Sequence, residues 1–138
     1  MERFDTQNLW VGGKDGYVTY RIPAITKTKK GTLLAFCEAR KYTGNDSDQI
    51  DLLVRRSTDN GNTFSPPQLI ATQEDWVCGN PAPVVDQSTG SIWLPFCKNH
   101  RDGNEIMITK GTAPRTVWIT VSHDDGISWD NPTEITEQ

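Results

Sequence analysis

Two arginines and an acidic loop carry the chemistry most readily read from this chain. Arg21 lies in Tyr20-Arg21-Ile22-Pro23, Arg40 ends Glu38-Ala39-Arg40, and Asn45-Asp46-Ser47-Asp48 follows, with Asp51 close behind. Two guanidinium groups and a carboxyl group on neighbouring strand ends can hold an anionic substrate beside a proton donor. The same acidic cluster admits a second reading, an irregular calcium loop, because hard cations favour gathered carboxylates. An EF-hand does not fit, since that template asks for Gly where Asp51 stands and Glu where Ser57 stands.

Such groups need rigid elements to position them. Five Trp in 138 residues, many Val, Ile and Thr, and no helical spacing beyond about two turns point to an all-β chain. Met1 to Tyr17 is a turn-rich lead-in that needs no function to explain it. Tyr20 to Ile25 is predicted as a strand, and Pro23, which cannot donate to a ladder, suits an edge position. Lys29-Lys30-Gly31 makes a turn. Thr32 to Glu38 is a nearly continuous apolar run, consistent with a strand covered on both faces, and its end delivers Arg40. A polar loop from Lys41 to Gln49 leads to a third strand, Ile50 to Arg56, and Gln68 to Ala71 is a short fourth.

The second half repeats the first. Pro23 and Pro83 are 60 apart, as are Phe36-Cys37 and Phe96-Cys97, while Gly31 and Gly90 are 59 apart and Ser57 and Ser122 are 65 apart. The second unit has a longer connection, between Cys97 and Thr116. Ser57-Thr58-Asp59-Asn60-Gly61-Asn62-Thr63-Phe64 returns as Ser122-His123-Asp124-Asp125-Gly126-Ile127-Ser128-Trp129. This is turn chemistry: Asp59 and Asp124 accept backbone N–H bonds, Gly61 and Gly126 take positive φ, and Phe64 and Trp129 plug the turn onto the sheet. A period of this length with four strands per copy marks propeller blades, the first at about residues 17–75 and the second at about 76–138.

Composition removes several function classes. The net charge is -4 and no Lys/Arg stripe is interleaved with aromatics, which argues against general nucleic-acid binding. Lys27-Thr28-Lys29-Lys30 reads as a solvated hairpin tip, so an anionic ligand needs a local arginine site. Cys37, Cys78 and Cys97 form no C-x-x-C pair and leave one unpaired in any disulfide scheme, so buried free thiols are expected. The chain shows neither an 18-residue apolar run nor a cleavable signal peptide, and its compartment stays unassigned. His100 and His123 are expected to be exposed, without a metal or cofactor. Trp93 and Trp118 are expected in the blade core, and Trp76, on a loop beside Cys78 and Asn80, is the candidate for the rim of a site.

With these residues in view, the chain resembles the sialidase (neuraminidase) family from about Tyr17 to its end. Tyr20-Arg21-Ile22-Pro23 is similar to that family's Arg-Ile-Pro motif, and the turns at Ser57 and Ser122 are similar to its Asp boxes. The resemblance implies a six-bladed β-propeller that removes terminal sialic acid from glycans with retention of configuration, with this chain supplying about two blades. It implies that Arg21 is one of three arginines clamping the sugar's carboxylate, that Arg40 orders the pocket floor and that Asn80 lies near the pocket. Asp46 matches the acid that protonates the departing oxygen; Asp48 and Asp51 would raise its pKa and Arg40 would oppose them. The family's nucleophilic Tyr, its Glu partner and its other two arginines have no counterparts here; Tyr17, Tyr20 and Tyr42 stand at the wrong positions, and Arg101 and Arg115 are not assigned to the clamp. The expected partners are a sialylated glycan and the remaining blades, from further sequence or from self-association. The rival function is a carbohydrate- or partner-binding propeller element without hydrolysis.

Overall fold

The computed structural model describes residues 6–137. Nine strands make one sheet system: β1 (Thr19–Lys27), β2 (Leu33–Arg40), β3 (Ile50–Ser57), β4 (Gln68–Ala71), β5 (Trp76–Gly79), β6 (Val84–Val85), β7 (Ile92–His100), β8 (Thr116–Ser122) and β9 (Thr133–Glu134). A five-residue helix, α1 (Glu105–Thr109), sits in the long connection and is capped by the Asn104 side chain, which accepts from Met107 N. β1 to β4 form an antiparallel meander, and β5 and β6 both pair with β7, which continues to β8 and β9. One parallel pair, Ile50 with Val77, joins the two units. Among the described residues β1 and β9 end the sheet without meeting, so the propeller is not closed.

Strand pairing corrects the repeat read from sequence. Leu33 faces Ser57 and Ile92 faces Ser122, so the second strands correspond at 92 − 33 = 59, not 60. Phe36 and Phe96 are therefore not equivalent. A one-residue slip turns a side chain to the opposite face, and the two rings enter the space between the units from opposite sides. Phe36 packs with Leu34, Val54, Ile92 and Leu94, and Phe96 packs with Leu52, Ala71 and Cys78. The first strands correspond at 79 − 21 = 58, because Arg21 pairs with Glu38 as Gly79 pairs with Cys97. Pro23 then matches Pro81 rather than Pro83, and Ile22 matches Asn80; both of these sit at positive φ, 53° and 56°. A β-branched residue at such an angle is strained.

The repeated turns form as their residue types dictate. Ser57 Oγ accepts from Gly61 N at 2.8 Å and donates to Asp59, while Asp59 accepts from Thr63 N at 2.9 Å. Ser122, Asp124 and Gly126 repeat the pattern, with Ser128 in place of Thr63. These hydrogen bonds, led by those from Thr63 and Ser128, pull the carboxyl groups of Asp59 and Asp124 down to about 2. Trp129 crosses to the first unit, with its ring edge-on to Phe36 at 5.8 Å, whereas Phe64 is half-buried and borders a hollow with Leu9, Val11 and Arg55. Asp125 also crosses, bonding to both Thr28 Oγ1 and Thr32 Oγ1 and ion-pairing with Arg56 at 3.2 Å.

The described part of the lead-in, residues 6–17, packs on the first unit: Tyr17 donates to Asp51 at 2.8 Å, and Arg55 lies over Trp10 and pairs with Asp15. Two further expectations change. Trp76 belongs to a strand and stands edge-on to His100, and it is not among the residues that bound the main hollow. Trp93 alternates with the core residues Ile92 and Leu94 and is 41% exposed on the uncovered face of the second unit.

Candidate active site

Arg21, Ile22, Glu38, Arg40, Asp46 and Asn80 border one open hollow of about 290 Å³ at the ends of β1, β2 and β5. Alternation along β2 sends Glu38 and Arg40 to the same side, where both are buried. Arg21 precedes the irregular step of β1 at Ile22, and its side chain is 48% exposed. The Lys41–Gln49 loop returns to the sheet because Asp48 accepts from the backbone N–H groups of Tyr42, Thr43 and Gln49. That turn projects Asp46, 72% exposed, over the arginines.

One oxygen of Asp46 serves both cations, 2.9 Å from Arg21 Nη1 and 2.7 Å from Arg40 Nη1. Arg40 Nη1 also donates to Gly44 O at 2.8 Å, and its Nη2 donates to Glu38 Oε2 at 2.7 Å. Arg40 Nε is buried without an acceptor among the described residues. The hydrogen bond from Arg40, opposed by burial and reinforced by the charges of Arg40 and Arg21, holds the Asp46 carboxyl below the usual carboxylate range. The anticipated push from Asp48 and Asp51 does not prevail, because Asp48 is turned into its loop and Asp51 accepts from Tyr17. The three carboxylates thus have separate partners, and among the described residues no group of His, Cys, Asp or Glu is arranged to hold a metal ion.

Sequence reasoning set Arg115 aside, yet it borders the hollow, paired with Glu105 of α1 at 2.6 Å. Arg101 does not; it pairs with Asp75 at 2.8 Å. Glu38 reads from sequence as the end of an apolar strand, yet it is buried in the wall of the hollow. Cys97 is a partly exposed free thiol in the same wall, while Cys37 and Cys78 are buried. An anion clamp beside a carboxyl group is the chemistry this arrangement can perform.

Residues 31–138 match the BNR repeat-like domain family. The chain is 29% identical to an exo-alpha-sialidase of Aspergillus fumigatus, covering 89% of this chain and 35% of that protein. It is 31% identical to a sialidase of Micromonospora viridifaciens, covering 94% of this chain and 21% of that protein. The solved structure of a Hadza microbial sialidase superposes with a TM-score of 0.80 at 29% identity, covering 92% of this chain and 28% of that one. The chain thus spans about a third or less of the length of these relatives. With its paired Asp-box turns and its all-β blades, the chain belongs to the BNR-repeat sialidase family.

Proposed function

We propose that this chain supplies the carboxylate-binding and acid-bearing part of an exo-alpha-sialidase site, which hydrolyses terminal sialic acid from glycoconjugates with retention of configuration. The observation that carries this reading is the sharing of one Asp46 oxygen by Arg21 and Arg40, at 2.9 and 2.7 Å. Those donors already hold a carboxylate, and that carboxylate is on an exposed loop that can give way. The sugar's own carboxylate takes its place on Arg21, whose planar fork suits two oxygens. Arg40 orders the floor and Asn80 borders the side. Released from the guanidinium groups, Asp46 returns toward the ordinary carboxyl range, delivers a proton to the departing oxygen and later accepts one from water.

Sialidases with a tyrosine nucleophile stand outside the two-carboxylate scheme of most glycosidases. Tyr17, Tyr20 and Tyr42 are not among the residues bordering the hollow. On this reading, turnover needs further blades, from additional sequence or from other copies, to bring a nucleophile and more arginines to the open side. The second reading, a binding element without hydrolysis, is favoured by the low carboxyl pKa of Asp46 in the free site. Asp46→Ala in a protein carrying all the blades separates the two. Loss of turnover of a fluorogenic sialoside by about 10²- to 10⁴-fold with binding retained supports the enzyme. Unchanged turnover removes Asp46 as the acid.

A further inference from the structure

Glu38 has a position that none of these roles uses. It is 4% exposed, and its two oxygens reach in different directions. Oε2 accepts from Arg40 Nη2 at 2.7 Å within the first unit, and Oε1 accepts from the backbone N–H of Asn80 at 2.9 Å in the second. Gly79 makes room for this approach: a Cβ there would stand 2.6 Å from Glu38 Oε1 and 3.4 Å from its Cδ. Gly79 does not have positive φ, so space rather than backbone freedom is what that position requires. At the corresponding place in the second unit β7 carries Cys97, which has no carboxylate to form such a bridge.

We propose that Glu38 is the positioning residue of the anion site, fixing the plane of the Arg40 guanidinium and tying it to the Asn80 turn of the neighbouring unit. With Nε unpartnered and Nη1 directed at Asp46 and Gly44, Nη2 is the corner of the Arg40 fork that a protein carboxylate anchors. Without that anchor the fork turns, and Nη1 leaves the line to Asp46 and to any ligand carboxylate. A buried ion pair that only holds the fold would, on losing the Glu38 charge, let the Asp46 carboxyl fall further, because an anion is removed from its surroundings; a move upward is the mark of lost alignment.

The inference deepens the sialoside-binding reading and rests on it for its ligand, but not for its second readout. The full chain and its Glu38→Gln, Glu38→Asp and Gly79→Ala variants are titrated with N-acetylneuraminic acid, and the Asp46 carboxyl carbon is followed by NMR against pH. Glu38→Gln keeps the shape and loses the charge; Gly79→Ala keeps the charge and displaces the carboxylate. Both are expected to weaken binding by at least about tenfold and to move the Asp46 titration up toward its ordinary value. Glu38→Asp, with its charge retained, is expected to recover part of both effects. Unchanged affinity and an unchanged or lowered Asp46 titration in folded Gln and Ala variants overturn the proposal, as does loss of folding in both. If the unaltered chain binds no N-acetylneuraminic acid, the functional reading fails, while the Asp46 titration still decides the part assigned to Glu38.

Discussion

On the proposed function, Asp46 and a sugar carboxylate compete for the same donors, because one Asp46 oxygen already lies on both Arg21 and Arg40. The carboxyl of Asp46 is depressed while the arginines hold it, and a bound carboxylate that neutralises them lets it rise. Binding therefore takes up a proton, and affinity for N-acetylneuraminic acid is expected to strengthen as the solution falls through the ordinary carboxyl range, from about pH 5 to about pH 3. Calorimetric titration across that range checks it, with Asp46→Asn expected to bind more tightly at neutral pH and to lose the dependence; a flat wild-type profile defeats it. Arg21, Arg40 and Asp46 were legible because they stand in a recognisable order along one stretch. Glu38 was not, since an acid at the end of an apolar strand looks like a solvated terminus until Gly79, far along the chain, is seen to leave space for it.

At the scale of elements, the repeated turns were legible because their residue types are those the local hydrogen bonds demand, and β4 begins and ends where the sequence placed it. The register of the repeat was not, because two aromatic-cysteine pairs at equal spacing imitate equivalence, whereas strand pairing depends on turn length. Nor did the motif disclose that its variable position could act between blades. Asp125 is Asn60 in the first turn, yet it joins Thr28, Thr32 and Arg56 across the junction. Asp125→Ala is expected to cost roughly 1–3 kcal/mol by stranding those donors, measurable as a lowered urea midpoint. A variant with unchanged midpoint and slope shows that the junction is held by its apolar clusters alone.

For the whole molecule, the uncovered flank is the dominant fact. Trp93 and Val117 lie 41% and 37% exposed on the side of the second unit turned away from the core, and Val84 is 58% exposed nearby. Blades bury their faces only against neighbours, so the chain on its own is expected to self-associate and to show no sialoside turnover. Size-exclusion chromatography with light scattering checks this, and a compact monomer that cleaves a fluorogenic sialoside overturns it. The displaced register sets one more condition on such an assembly. Phe36 points toward the following unit and Phe96 toward the preceding one, so the two halves are not interchangeable. A protein built with their order exchanged would turn both rings away from the shared seam, which makes the sequence of copies itself a determinant of whether the stack can form.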